Sequence, residues 1–140
     1  ETDRMQRVAR IAGVDYINDS KATNAAAAVA SIQSIDGKLV LIAGGDGKGG
    51  DFTELAAAVD DKLRAAVLIG TDAEKIAAAL DTVMPVHFAN DLTAAVRQAA
   101  ALAERDDTVL LAPACASFDQ FKNYMERGDV FGEAVRALQR

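Results

Sequence analysis

From Lys38 onward, short apolar runs bounded by glycine or acidic turns alternate with alanine-rich segments of helical length. The runs are Lys38–Ala43, Ala66–Gly70, Pro85–Phe88 and Thr108–Ala112. Between and after them the spacing predicts helices from Thr53 to about Leu63, Ala73–Leu80, Leu92–Ala103 and Phe118–Leu138, the last interrupted near Gly128. Strands that alternate with helices require a parallel sheet with right-handed crossovers. Upstream, Arg7–Ile11 and Val14–Asn18 have strand character around the turn residue Gly13, and they read as a hairpin. Thr23–Ile35 follows as a helix, with Val29, Ile32 and Ile35 at helical spacing and Asp36-Gly37 as its stop. The expectation is a Rossmann-like, doubly wound α/β fold with a mostly parallel sheet of about six strands and the hairpin at one edge. Residues 1–140 are read as a single domain, a length that can bury a core.

Composition narrows the function classes. Apolar residues make up 51% of the chain and the net charge is −6, so disorder is excluded and a phosphate backbone would be repelled. No nucleic-acid partner is expected. One cysteine, Cys115, and one histidine, His87, allow neither an internal disulfide nor a Cys/His zinc site. No apolar stretch reaches the ~18 residues that a membrane span needs. The start, Glu1-Thr2-Asp3-Arg4, has no apolar signal region behind it and no methionine, which reads as a piece of a longer cytoplasmic chain, expected as a monomer.

Ligands of open α/β sheets bind at the carboxyl ends of the strands, and three segments there are unusual. The first is Asn18-Asp19-Ser20-Lys21-Ala22-Thr23-Asn24. Ser20 or Thr23 could cap the following helix, but Lys21 would sit at the positive end of its dipole, a place for a cation only if an anion shares it. The second is Gly44-Gly45-Asp46-Gly47-Lys48-Gly49-Gly50-Asp51, with five glycines in seven positions around a lysine, a composition expected to let the backbone approach a ligand and point its N–H groups at it. It fails the Walker A pattern, because Ile42 stands at the first glycine position and Gly49 follows the lysine. Gly45-x-Gly47-x-x-Gly50 does fit a dinucleotide fingerprint, with Asp72 near the place of a ribose-binding acid. The third is Pro113-Ala114-Cys115-Ala116-Ser117-Phe118-Asp119-Gln120-Phe121, where Ser117 is expected to open the last helix and offer an anion site. No Ser–His–acid triad or paired carboxylates occur, and Cys115 reads as inert. Together Lys21, Thr23, Lys48 and Ser117 suit a dicarboxylate, or a carboxylate beside a phosphate.

These three strings, with Lys122-Asn123 and Glu126-Arg127-Gly128 after the last, resemble the C-terminal domain of the Mur ligases over nearly the whole chain. Siblings in the family carry a histidine in the first motif, absent here, which favours the member that joins D-glutamate to UDP-N-acetylmuramoyl-L-alanine in peptidoglycan synthesis. The resemblance implies an ATP-dependent amide-forming reaction through an acyl phosphate. Thr23 and Lys48 would hold one carboxylate of D-glutamate, and Ser117 and the backbone or ring near Tyr124 would receive the other. Phe118 would line the pocket, with Cys115 and Phe121 packed behind. Arg4, Asp19 and Lys21 would touch the nucleotide. Magnesium, the phosphate-binding loop and the UDP-N-acetylmuramoyl-L-alanine site belong, on this resemblance, to two preceding domains, so this chain alone would hold no metal and no complete catalytic set. One departure is Asp3, where the family usually has histidine before the arginine equated with Arg4. Alternatives are an NAD-type binding domain, a ligase of different amino-acid specificity, and a non-catalytic interaction module.

Overall fold

The computed structural model describes residues 3–59, 61–80 and 84–139. The elements follow the order β1 (Gln6–Ile11), β2 (Val14–Asn18), α1 (Ala25–Gln33), β3 (Leu39–Gly44), α2 (Thr53–Val59), β4 (Leu63–Ile69), α3 (Ala73–Leu80), β5 (Val86–Phe88), α4 (Leu92–Leu102), β6 (Thr108–Leu111) and α5 (Tyr124–Ala137). They form a six-stranded sheet in the order β1-β2-β6-β3-β4-β5. β1 pairs antiparallel with β2 at the edge, and every other pairing is parallel. The α/β, mostly parallel expectation with an edge hairpin is therefore met.

Two apolar layers sandwich the sheet, and alternation along β3 divides it between them. Leu39, Leu41 and Ala43 face one cluster with Ile32, Leu55, Ile76 and Leu80 of α1, α2 and α3. Val40 and Ile42 face the other, with Leu92, Val96, Phe131 and Val135 of α4 and α5. A strand covered on both faces has no polar side to show, which is why β3 is apolar throughout. The chain runs β2-α1-β3-α2-β4-α3-β5 over one face, then returns through α4 on the other to place β6 between β2 and β3.

Several boundaries differ from the sequence expectation, and those of the second helix, β4, α1 and α5 have a physical reason. The second helix ends at Val59 and β4 begins at Leu63, because Arg64 is needed at the base of the sheet. There its Nε and Nη2 donate to the two Asp107 carboxylate oxygens at 2.6 and 3.1 Å. α1 starts at Ala25 on Asn24, whose Oδ1 accepts from the Ala27 N–H; neither Ser20 nor Thr23 caps it. α5 is continuous through Gly128 but starts only at Tyr124, with Asn123 as cap, not at Ser117 or Phe118. Gly128 is no break. A Cβ there would lie 1.9 Å from Asp3 Oδ1 and 2.8 Å from Asn18 Nδ2, so the glycine lets the helix press against the first motif. Asp60, expected inside the second helix, and the Glu1-Thr2 start lie outside the described residues.

The Arg64–Asp107 fork also gives a pH signature. Burial opposes ionisation of Asp107, but hydrogen bonds from Arg64 and the Glu104 amide, with the charges of Arg64 and Lys38, outweigh it and hold its carboxyl below the ordinary range. A depressed carboxylate stabilises the fold above its unfolded pKa, and this contribution disappears as pH falls through the folded value. Asp107→Asn is expected to cost about 1–2 kcal/mol at pH 7 in urea unfolding, the gap to wild type closing below about pH 4. A gap that stays constant down to pH 2.5 would show that the charge is not what stabilises.

Candidate functional site

Because β6 lies between β2 and β3, the carboxyl ends of three sequence-distant strands are neighbours. In register, Asn18 faces Leu111 on one side of β6 and Ile42 faces Leu111 on the other. At these ends lie 18–24, 44–51 and 113–121, the three segments singled out from sequence. They are cross-tied. The Asp19 N–H donates to Leu111 O, Ala114 N–H to Ala22 O and Gly44 N–H to Pro113 O, while Asp46 and Ala116 exchange a two-way backbone pair.

Two clefts border these segments, one between all three and one between the first of them, the Arg4-Met5 stretch and α1. One, of about 420 Å³, is lined by Thr23, Lys48, Ala116, Ser117, Phe118, Asn123 and Tyr124. All five residues assigned from resemblance to D-glutamate border it. Ser117 is 2% exposed and Phe118 65%: one forms the floor, the other the lip. The Lys48 ammonium stands 5.4 Å from the centre of the Phe118 ring, within cation–π range. The second cleft, of about 260 Å³, includes Arg4, Met5, Asp19, Lys21, Ser31 and Ser34 in its wall, bringing together the three residues assigned to the nucleotide. Asp19 is 4% exposed. Its carboxylate accepts from the Met5 N–H at 3.3 Å and from the Ser31 hydroxyl, so it also clamps the segment carrying Arg4 onto α1. Asp3, at the family's histidine position, is buried and accepts from Asn18 Nδ2 at 2.9 Å.

Arg127 holds the arrangement together and was given no role from sequence. It is 1% exposed. Its Nη2 donates to Ser20 O at 2.7 Å, its Nε to Ser20 Oγ at 3.0 Å and its Nη1 to Cys115 O at 3.0 Å. Ser20 Oγ in turn donates to Tyr124 O at 2.6 Å. Burial lowers the guanidinium to about 10, which still leaves it charged at neutral pH. The signal was present: Arg127 shares the buried helix face with Phe131, Ala134 and Val135, a core position where an arginine must have partners.

Two expectations about the loops are corrected. Ser117 does not sit at a helix N-terminus. Its carbonyl accepts from Gln120 and Phe121 N–H in a separate turn before Asn123. Nor does the glycine loop present the amides of Gly44 to Lys48, or that of Gly50, outward. The N–H groups of Gly44, Gly45 and Asp46 donate to Pro113, Ile69 and Ala116 carbonyls, and that of Gly50 to Gly47. Gly47 and Lys48 N–H donate to Asp72 Oδ2 and Asp46 Oδ1. At Gly45, with φ 130°, a Cβ would lie 2.5 Å from Ala116 O. The glycines serve loop-to-loop approach, and a pyrophosphate would meet carboxylates, which removes the basis for an NAD site. Phe121 is placed with the cluster under α4 and α5 rather than behind the cleft, whereas Cys115 belongs to the opposite cluster.

The family model described as Mur ligase, glutamate ligase domain, matches residues 3–115. The chain belongs to this family. Among curated relatives, the UDP-N-acetylmuramoylalanine–D-glutamate ligases of Pseudomonas savastanoi pv. phaseolicola and Pseudomonas aeruginosa are 59% and 54% identical, over 90% and 96% of the chain. That of Methylococcus capsulatus is 53% identical over 96%. The Mur ligase domain spans only 29–31% of the length of these relatives. Among solved structures, a domain of a Haemophilus ducreyi ligase superposes with TM-score 0.62 at 15% identity, over 94% of this chain and 99% of that one. Escherichia coli FolC in complex with ADP superposes at 0.65 with 22% identity, over 98% of this chain and 33% of that one. These structural likenesses show the shared fold.

Among the described residues of the Mur ligase domain, no helix is long and apolar enough to cross a membrane. Burial, before the negative charges of Asp72, Asp119 and Asp46, pushes the Cys115 thiol up to about 12. Iodoacetamide at pH 8 is expected to leave Cys115 unmodified in the native domain and to label it on unfolding in urea; native labelling at the rate of a free thiol would contradict this. Arg127→Met, which leaves two carbonyls and a hydroxyl without their donor, is expected to cost about 3 kcal/mol or more in urea unfolding. A loss below about 1 kcal/mol would show the three hydrogen bonds to be dispensable.

Proposed function

We propose that this chain is the amino-acid-binding part of a longer ATP-dependent ligase that joins D-glutamate to UDP-N-acetylmuramoyl-L-alanine. Support comes from the names of relatives above 50% identity, and from the convergence of Thr23, Lys48, Ser117, Phe118 and Tyr124 on one cleft. That convergence carries the proposal. One ammonium, three hydroxyls and the Asn123 amide surround a volume in the usual range for a small-molecule site. Charge-assisted hydrogen bonds from such groups suit two carboxylates at opposite ends of a short ligand.

In the reaction, the γ-phosphoryl group of ATP moves to a carboxylate oxygen of the muramoyl-alanine substrate. The D-glutamate amine attacks the resulting acyl carbon, loses a proton, and phosphate leaves with the C–O electron pair. This chain's part is positional. Lys48 and Thr23 fix one carboxylate, Ser117 and Tyr124 the other, and the amine is left free to face the acyl phosphate, so that a bimolecular encounter becomes an oriented one. Arg4, Lys21 and Asp19, around the second cleft, contribute to the nucleotide. Magnesium and the remaining catalytic groups come from the rest of the longer ligase, so the 140-residue chain alone turns over no ATP.

NMR titration of the labelled chain with D-glutamate is expected to shift Thr23, Lys48 and the Ser117–Tyr124 segment. L-glutamate should act more weakly and NAD not at all. Lys48→Ala is expected to weaken D-glutamate binding about tenfold or more, the value of a charge-assisted hydrogen bond. No shift at high millimolar D-glutamate, either in the chain or with the rest of the ligase restored, would reject the assignment.

A further inference from the structure

Among the described residues, the Lys48 side chain is the sole cation bordering the 420 Å³ cleft, and it rises from a glycine-rich loop. Lys48 itself has φ 52°, a left-handed conformation that non-glycine residues adopt only when their surroundings hold them there. Two carboxylates do the holding. Asp46 Oδ1 accepts from the Lys48 N–H at 2.9 Å, a local contact two residues away. Asp72 Oδ2 accepts from the preceding N–H, that of Gly47, at 2.7 Å. This contact is long-range, from the β4–α3 turn, and it is reciprocal: the Asp72 N–H donates to Gly45 O at 2.9 Å. Asp72 is braced in turn. Its neighbour Thr71 donates through N–H and Oγ1 to Asp119 Oδ2, at 2.9 and 3.3 Å. A line of contacts thus runs from the Ser117 loop, through Asp119, Thr71 and Asp72, to the loop of Lys48. Asp72 borders neither cleft that carries the assigned ligand residues.

We propose that Asp72 is a positioning residue for amino-acid binding, acting through the Gly47 N–H to set where the Lys48 ammonium stands across the cleft. This rests on the D-glutamate assignment above. An acceptor at position 72 preorganises the lysine, so the ordering cost of the loop is not drawn from ligand binding. An aspartate at this point of a doubly wound sheet invites a ribose reading. Here, however, one oxygen is turned inward to the loop amide.

The test is a double-mutant cycle in the intact ligase that contains this chain, reading KM for D-glutamate, KM for ATP and kcat. Asp72→Ala is expected to raise KM for D-glutamate about tenfold, with KM for ATP within about twofold of wild type. Asp72→Asn, whose amide oxygen still accepts from Gly47, should recover most of that loss. In a Lys48→Ala background, Asp72→Ala should change KM by less than about twofold, since the residue through which it acts is gone. Equal losses in both backgrounds, or no loss with Asp72→Ala alone, would overturn the proposal while leaving the pocket assignment intact. A Lys48→Ala ligase with unchanged KM for D-glutamate would instead remove the pocket assignment and this inference with it. Amide hydrogen exchange of the unmodified chain gives a second reading that needs no variant to fold. Gly47 should exchange far more slowly than an unstructured glycine, and exchange at the unstructured rate would overturn the proposal equally.

Discussion

Three hydrogen bonds from a buried guanidinium hold the strand-end region in shape. Arg127 reaches from α5 to both oxygens of Ser20 and to the carbonyl of Cys115, so one rigid planar group fixes the spacing between the loop after β2 and the loop after β6. The close approach at Gly128 brings the helix near enough for that reach. Taking the charge out of water is costly, and a planar fork with several acceptors is the form in which it is tolerated. The cleft bounded by Thr23 on one loop and Ser117 on the other owes its width to this strut.

The glycine-rich loop shows a different solution to the same problem. Its glycines bring backbone close to backbone, as at Gly45 against Ala116, and carboxylates of Asp46 and Asp72 take up its free amides. Such a loop resembles an anion cradle in composition and works as a stiff arm in structure. The cationic function is concentrated in the lysine at its tip, with the Phe118 ring beside the ammonium.

Much of the fold was legible in the sequence because the parallel strands are buried on both faces and therefore read as unbroken apolar runs. β3 and β6 are the clearest cases. Boundaries failed where tertiary contacts overrode local pattern. Arg64 belongs to a strand because its partner Asp107 is at the sheet's base. The last helix waits for Asn123 because Ser117 to Phe121 forms its own turn. The site was legible only as three motifs. Nothing in their local composition reveals that the amides of the glycine loop are already engaged, or that Arg127 and Asp72 act from outside the motifs. Those roles depend on pairings between residues far apart in the chain, here 107 and 25 positions, which no local window contains.

The position of β6 has a consequence for how the molecule comes into being. β2 and β3 do not pair with each other; each pairs with β6. Until that strand, the last of the six described, is in place, the hairpin and the β3-β4-β5 ribbon share no ladder. All three loops of the strand-end region converge only around it. During synthesis the amino-terminal two-thirds can emerge with most of its strands yet without a common sheet. Because the central strand comes late, the cleft is among the last features of the sheet to form, and such long-range pairings predict slow assembly for a chain of this size. A chain that stops short of β6 is thereby left without the cleft altogether.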